Sequence, residues 1–105
     1  MMSANISNAT RKAVYRRDGY RCALCDSTKY IQIHHAMSRS IGGSNKPENL
    51  ITLCADCHAL AHGMNLNNYI DMDQETIEHE IVKYLADYYA ETEGRPWQPF
   101  NIDFK

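Results

Sequence analysis

A chain of 105 residues with a formal charge of −2 has room for one compact domain and no second core. No run approaches the roughly 18 consecutive apolar residues of a membrane-crossing helix, so a span of that kind is excluded. The mild net charge does not exclude a polyanionic partner: residues 10–46 hold eight Lys/Arg against two Asp (+6), whereas residues 47–105 hold three basic against eleven acidic residues (−8).

Residues 1–10 are polar and lack the apolar centre of a secretion signal, which points to the cytoplasm. Thr10 is the expected N-cap of a short helix over residues 11–17. Ala13, Val14 and the stem of Arg17 would form its apolar stripe, and Asp18-Gly19 its stop. Residues 30–35 (Tyr-Ile-Gln-Ile-His-His) alternate in character and predict a strand of about six residues. Residues 36–48 contain Gly42-Gly43, Ser44-Asn45 and Pro47, and read as a long loop. Residues 50–53 predict a second strand, antiparallel to the first. A short helix over residues 55–62 follows, with Gly63 at its C′ position. Residues 65–73 are turn-rich. Over residues 74–90, Ile77, Ile81, Leu85 and Tyr88 make one apolar helical face. The segment 94–100 carries Trp97, Phe100 and two prolines, and is expected to pack against the domain or a partner. Tyr84, Tyr88, Tyr89 and Trp97 are read as packing residues, and His79 as a surface residue.

The four cysteines form two Cys-x-x-Cys pairs, Cys22/Cys25 and Cys54/Cys57, with 28 residues between the pairs and none left over. In such a knuckle both thiolates can face one cation, and two knuckles complete the tetrahedral shell of a structural Zn²⁺. Two disulfides are the alternative, and they would need an oxidising compartment. Four of the five histidines gather near the second knuckle: His34 and His35 at a strand end, His58 and His62 on the short helix. Positions i and i+4 share a helix face, so His58 and His62 can chelate one cation. Cys57 and His58 are adjacent, about 100° apart around a helix. One turn can therefore send the thiolate to the zinc and the imidazole to a second metal, tying one site to the other.

Cys22-x-x-Cys25, His34-His35, Gly42-Gly43, Pro47-Glu48-Asn49-Leu50 and Leu53-Cys54-x-x-Cys57-His58 stand in the order found in HNH endonucleases, and the resemblance covers about residues 11–63. The chain is similar to small phage and bacterial members with two knuckles around a ββα-metal core. The resemblance implies an α+β fold: a zinc-bound ββα-metal (His-Me finger) core with an N-terminal helix and a C-terminal amphipathic helix. A single HNH domain would then occupy residues 1–105, with its core at about 10–63, a helical extension at about 74–91 and a tail at 92–105.

His35, Asn49 and His58 match the triplet that names the family, and His34 and His62 resemble the arrangement in DNase colicins. The implied activity is metal-dependent hydrolysis of DNA phosphodiester bonds, by nicking or double-strand cutting, with 5′ phosphates left behind. His35 would be the general base, a role suited to a group titrating near neutrality. His34, His58 and His62 would hold the divalent cation, and Asn49 would either orient the base and loop or join the metal shell. Many members have aspartate where this chain has His34. Three imidazoles suit Zn²⁺, Ni²⁺, Co²⁺ or Mn²⁺ better than Mg²⁺. Adjacent residues of an ideal strand face opposite ways, so the strand must twist or end if His34 and His35 are to serve one phosphate.

Arg16, Arg17, Arg39 and Lys46 are the candidate DNA contacts, through phosphates. Phage packaging proteins are candidate partners by the same resemblance. A non-catalytic zinc-stabilised module that binds nucleic acid or protein is the alternative function. A thioredoxin-like redox site would need a βαβ context that the chain lacks.

Overall fold

In the computed structural model, which describes residues 6–64 and 72–100, the first helix begins earlier than the sequence predicts. Ser7, not Thr10, is the N-cap: its hydroxyl accepts from the Thr10 amide at 3.1 Å, placing Thr10 in the first turn of α1 (Asn8–Arg17). Asp18-Gly19 ends the helix as expected, with Gly19 at φ +78. Val14 is buried and Arg17 turns inward, but Ala13 is exposed and contributes nothing to the stripe.

The first strand is shorter than expected. Tyr30 adopts φ +53 and is exposed, a conformation that breaks an extended run, and β1 spans only Gln32–His35. It pairs antiparallel with β2 (Leu50–Leu53), with Gln32 opposite Leu53, His34 opposite Ile51 and His35 opposite Leu50. The loop between them contains two short 3-10 turns, Arg39–Ile41 and Pro47–Asn49. Helix α2 (Ala55–Ala61) starts one residue after β2, with Cys54 as its N-cap and Gly63 in the expected C′ position at φ +89. Helix α3 (Gln74–Glu93) is capped by Asp73, whose carboxylate accepts from the Thr76 amide at 2.8 Å, and by Gly94 at φ +62. Most of the turn-rich segment expected at 65–73 lies outside the described residues. So do residues 1–5 and 101–105 of the two ends.

The architecture is α+β, with β1, β2 and α2 forming a ββα unit beside a four-cysteine cluster, as in ββα-metal folds. No helix among the described residues is long and apolar enough to cross a membrane. One face of β2 (Ile51, Leu53) meets Leu60 and Ala61 of α2 and Ile77, Ile81, Leu85 and Tyr89 of α3. The fourth buried position of α3 is thus Tyr89 and not Tyr88, because the packed ridge follows i, i+4 steps throughout; Tyr88 is only half-buried. His79 is on the exposed side.

Along the backbone edge of β2 that β1 leaves free, α1 is fastened by charge. The five N–H groups of Arg17 all have partners. Nε and Nη2 donate to Asp18 (2.7 and 2.9 Å), Nη2 also to the Leu50 carbonyl (2.5 Å), and Nη1 to the Pro47 carbonyl (2.7 Å) and the Tyr89 hydroxyl (3.1 Å). Asp18 in turn accepts from the Thr52 amide (2.9 Å) and the Tyr84 hydroxyl (2.8 Å). Both side chains are buried. The expectation that Arg17 contacts DNA phosphate is therefore corrected: every donor it has is spent inside the protein.

Breaking a buried pair by removing one partner costs about 3–5 kcal/mol, since the other charge is left uncompensated. Arg17→Ala is expected to lower the unfolding free energy in urea by about that amount. A loss of under about 1 kcal/mol, in the range of surface pairs, combined with weakened DNA binding would return Arg17 to the phosphate contacts.

Candidate functional site

The site begins with sulfur. Cys22 and Cys25 lie in the turn after α1, where the Cys22 amide donates to the Ser27 carbonyl (2.7 Å) and the Ala23 amide to the Thr52 carbonyl (2.9 Å), pinning the knuckle to β2. Cys54 and Cys57 bracket the first turn of α2. All four thiols are unpaired, and their sulfurs lie within 4.8 Å of one another. The Cys25–Cys54 Sγ distance is 3.6 Å. Two sulfurs on one tetrahedral zinc, each at roughly 2.3 Å, would lie about 3.8 Å apart. Disulfide-bonded sulfurs would be at about 2.05 Å.

The thiols share their protons unevenly: hydrogen bonding to Cys57 pulls Cys22 down to about 4, while the Cys57 thiol is pushed up by that same bond and by burial, and Cys25 is pushed up to about 11, chiefly by burial. Sulfurs gathered this closely cannot all be thiolates unless a cation sits among them. The four-cysteine cluster thus has the geometry and chemistry of a structural zinc site.

The histidines meet on the same helix, His58 directly after Cys57 and His62 one turn further on. His34 of β1 points at α2, and the imidazoles of His34, His58 and His62 offer three nitrogens within 4.8 Å of one another. Their ring centroids are 5.1, 5.1 and 4.9 Å apart. The Nε2 atoms of His58 and His62 are 3.2 Å apart, close to the separation of about 3.3–3.4 Å for two nitrogens on a tetrahedral ion at roughly 2.0–2.1 Å each. His58 Nδ1 donates to Gln32 Oε1, which leaves Nε2 bare and aimed at the cluster. Burial first, then the neighbouring imidazoles His58 and His62, hold His34 down at about 3; burial and His62 lower His58. Both are neutral near pH 7, with lone pairs free for a cation. Three imidazole donors fit a transition metal or zinc.

His35, next along β1, faces the other way. Its Nε2 lies 2.8 Å from Asn45 Oδ1. Because β1 ends at His35, both histidines nevertheless open on one cleft of about 420 Å³, which is also lined by Met37, Arg39, His58, His62 and Glu78. The strand ends where the sequence requires it to twist or end.

Asn49 is fully buried. Its Oδ1 accepts from the Met37 amide (2.8 Å) and its Nδ2 donates to the carbonyls of Met37 (3.0 Å) and Ser44 (2.8 Å). Of the two roles open to it, the geometry fits only the ordering of the loop. Its expected place among the catalytic residues is corrected to that of a positioning residue, because both its amide hydrogens are spent on the loop and the side chain is buried and does not line the cleft. Of the other expected basic contacts, Arg39 stands on the cleft; Arg16 and Lys46 are exposed and do not line it.

Three neighbours escape a reading of the sequence. Gln32 lies two residues before His34, hence on the same strand face, a signal that points it at α2. Asn45 has no such signal, lying in an irregular loop. Glu78 of α3 brings the acidic half of the chain to the cleft, so the positive and negative segments are not spatially segregated.

Residues 22–63 match the family described as HNH endonuclease. The chain is 34% identical over 50 residues to the type IV methyl-directed restriction enzyme EcoKMcrA of Escherichia coli K12, over 47% of this chain and 18% of that protein. It is also 34% identical over 53 residues to Anaredoxin of Nostoc sp. PCC 7120, over 50% of this chain and 70% of that protein. The chain therefore spans under a fifth of the restriction enzyme and most of Anaredoxin.

Structural zinc contributes about 10–16 kcal/mol in small domains, as much as the whole stability of a protein this size. The purified protein is expected to hold one zinc ion that resists dialysis. Cys57→Ala is expected to lose that ion and the cooperative thermal transition together. A Cys57→Ala variant that keeps both would contradict a structural zinc held by the four cysteines.

Proposed function

Since the chain belongs to the HNH endonuclease family, we propose that it is a metal-dependent DNA endonuclease that cuts or nicks the phosphodiester backbone and leaves 5′ phosphates. The observation that carries this reading is the convergence of His34, His58 and His62 on one point, with His35 opening on the same cleft.

His35 is the general base. With Nε2–H donated to Asn45 Oδ1, Nδ1 is the ring nitrogen that the neutral tautomer leaves to take the proton of the attacking water. His34, His58 and His62 would hold a divalent cation, which would supply positive charge against that gathering on the phosphate and the departing oxygen. Gln32 fixes the ring of His58, as partners of metal-ligating imidazoles do. Arg39 on the cleft wall draws in the phosphate backbone and offsets Glu78, with Arg16 and Lys46 as more distant attractions. Chemistry of this kind needs few residues, and the single domain proposed for residues 1–105 holds them all. The donor set favours Zn²⁺, Ni²⁺, Co²⁺ or Mn²⁺ over Mg²⁺. Packaging proteins as partners have no support in the two relatives.

Supercoiled plasmid incubated with each metal in turn tests the reading. The protein is expected to nick with at least one of these ions, and His35→Ala to lower the rate by about 10²–10⁴-fold while leaving DNA binding intact. If the unaltered protein binds plasmid but nicks it with none of the ions, the chain is a non-catalytic zinc module instead.

Gln32→Ala gives a finer check. It is expected to weaken binding of the second metal about 10–100-fold by isothermal titration, with cluster zinc unchanged. Unaltered affinity would mean that His58 does not need Gln32.

A further inference from the structure

The segment that follows α3 is hydrogen-bonded to the loop beside the cleft at two places. The Ser44 amide donates to the Pro99 carbonyl at 2.9 Å, and Gly43 and Phe100 form an antiparallel bridge. Four residues further along the loop, the Trp97 indole donates to the Glu48 carbonyl at 2.6 Å, and Arg95 pairs with the Glu48 carboxylate at 2.6 Å. Arg95 also lies over the Tyr89 ring, 4.9 Å from its centroid, which ties the segment back to α3.

The span held between these two anchorages contains Asn45, the partner of His35, and leads directly into Asn49. Its buried residues, Gly43, Ser44, Glu48 and Asn49, offer almost no apolar surface. Such a stretch has little hydrophobic reason to keep one shape, so hydrogen bonds must supply it. At Gly43 the fit is tight: a Cβ there would lie 1.9 Å from the Met37 carbonyl oxygen, so no side chain can be accommodated at the bridge.

We propose that Arg95–Phe100 is a strap that holds the loop carrying Asn45, and that Trp97 is a positioning residue for His35. The strap acts at a distance: Trp97 and Pro99 fix the backbone at Glu48 and Ser44, that backbone places Asn45, and Asn45 holds the imidazole. Its kinetic consequence rests on the nuclease reading; its structural consequence does not.

The test uses the full chain with Trp97→Ala, which removes ring and donor, and Trp97→Phe, which keeps an aromatic ring and loses the N–H. Two readouts are taken on each. Amide hydrogen exchange at Ser44 and Met37 is expected to quicken at least about tenfold in Trp97→Ala, with α3 amides and bound zinc unchanged. In plasmid nicking, kcat is expected to fall about 10–100-fold while KM for DNA stays within about twofold, the pattern of a displaced reacting group and not of lost binding. Trp97→Phe is expected to fall between the two in both readouts.

Unchanged protection at Ser44, or faster exchange with kcat unaltered, overturns the proposal. If Trp97→Ala loosens α3 as well, Trp97→Phe decides, and loss confined to the loop is the supporting result. If the unaltered protein does not nick DNA, the nuclease reading fails by itself. The exchange data then judge the strap alone: quickening at Ser44 supports it and unchanged protection overturns it.

Discussion

The adjacency of Cys57 and His58 in the first turn of α2 is the constraint on which the rest of the molecule depends. Cys54 caps this helix, its sulfur accepting from the Cys57 amide and its carbonyl from the His58 amide at 2.8 Å. The residues that close the sulfur cluster therefore also set where α2 begins and how it is rotated. Once that is set, Cys57 and His58 diverge by about 100° around the axis, and His62 falls one turn beyond His58. Cation binding by the cysteines would be folding free energy, so the geometry of the histidines would be supported by an ion that need not touch a substrate.

A second principle runs through the structure: polar groups do work that a larger core would do elsewhere. The core face of β2 packs on α2 and α3 through aliphatic side chains, but α1 is joined to the free backbone edge of β2 by Arg17 and Asp18, which reach Leu50 and Thr52 there and Tyr84 and Tyr89 of α3. Asn49 closes the loop by bonding both the amide and the carbonyl of Met37. Such networks are directional, so they fix register as well as adding stability. Precise register matters at this site, where His34 and His35 must reach one cleft from opposite strand faces.

Features dictated by spacing were legible in the sequence. The paired Cys-x-x-Cys knuckles, the i, i+4 histidines, Gly63 after α2 and the apolar ridge at Ile77, Ile81 and Leu85 each follow from a short-range rule that tertiary context did not override. Errors arose where two local solutions compete. Ser7 and Thr10 are both good N-caps, and the helix starts at the earlier one, whose hydroxyl takes the Thr10 amide. Tyr30 looked like a strand residue by composition but adopts a left-handed turn. Arg17 looked like a surface cation among others, and only the fold reveals that Asp18, the next residue, turns inward with it. Asn45 and the strap contacts of Trp97 were out of reach, because they join segments remote in sequence through backbone carbonyls that carry no side-chain signature.

The central claim is that one helix turn serves two distinct metal centres, one of sulfur and one of nitrogen. X-ray absorption at the nickel edge, on protein whose cysteine cluster is first filled with zinc and then given one equivalent of Ni²⁺, tests it most directly. The account predicts a nickel shell with imidazole nitrogens and no sulfur, while the zinc edge retains an all-sulfur shell. Sulfur around the nickel, or no bound nickel at all, would contradict it.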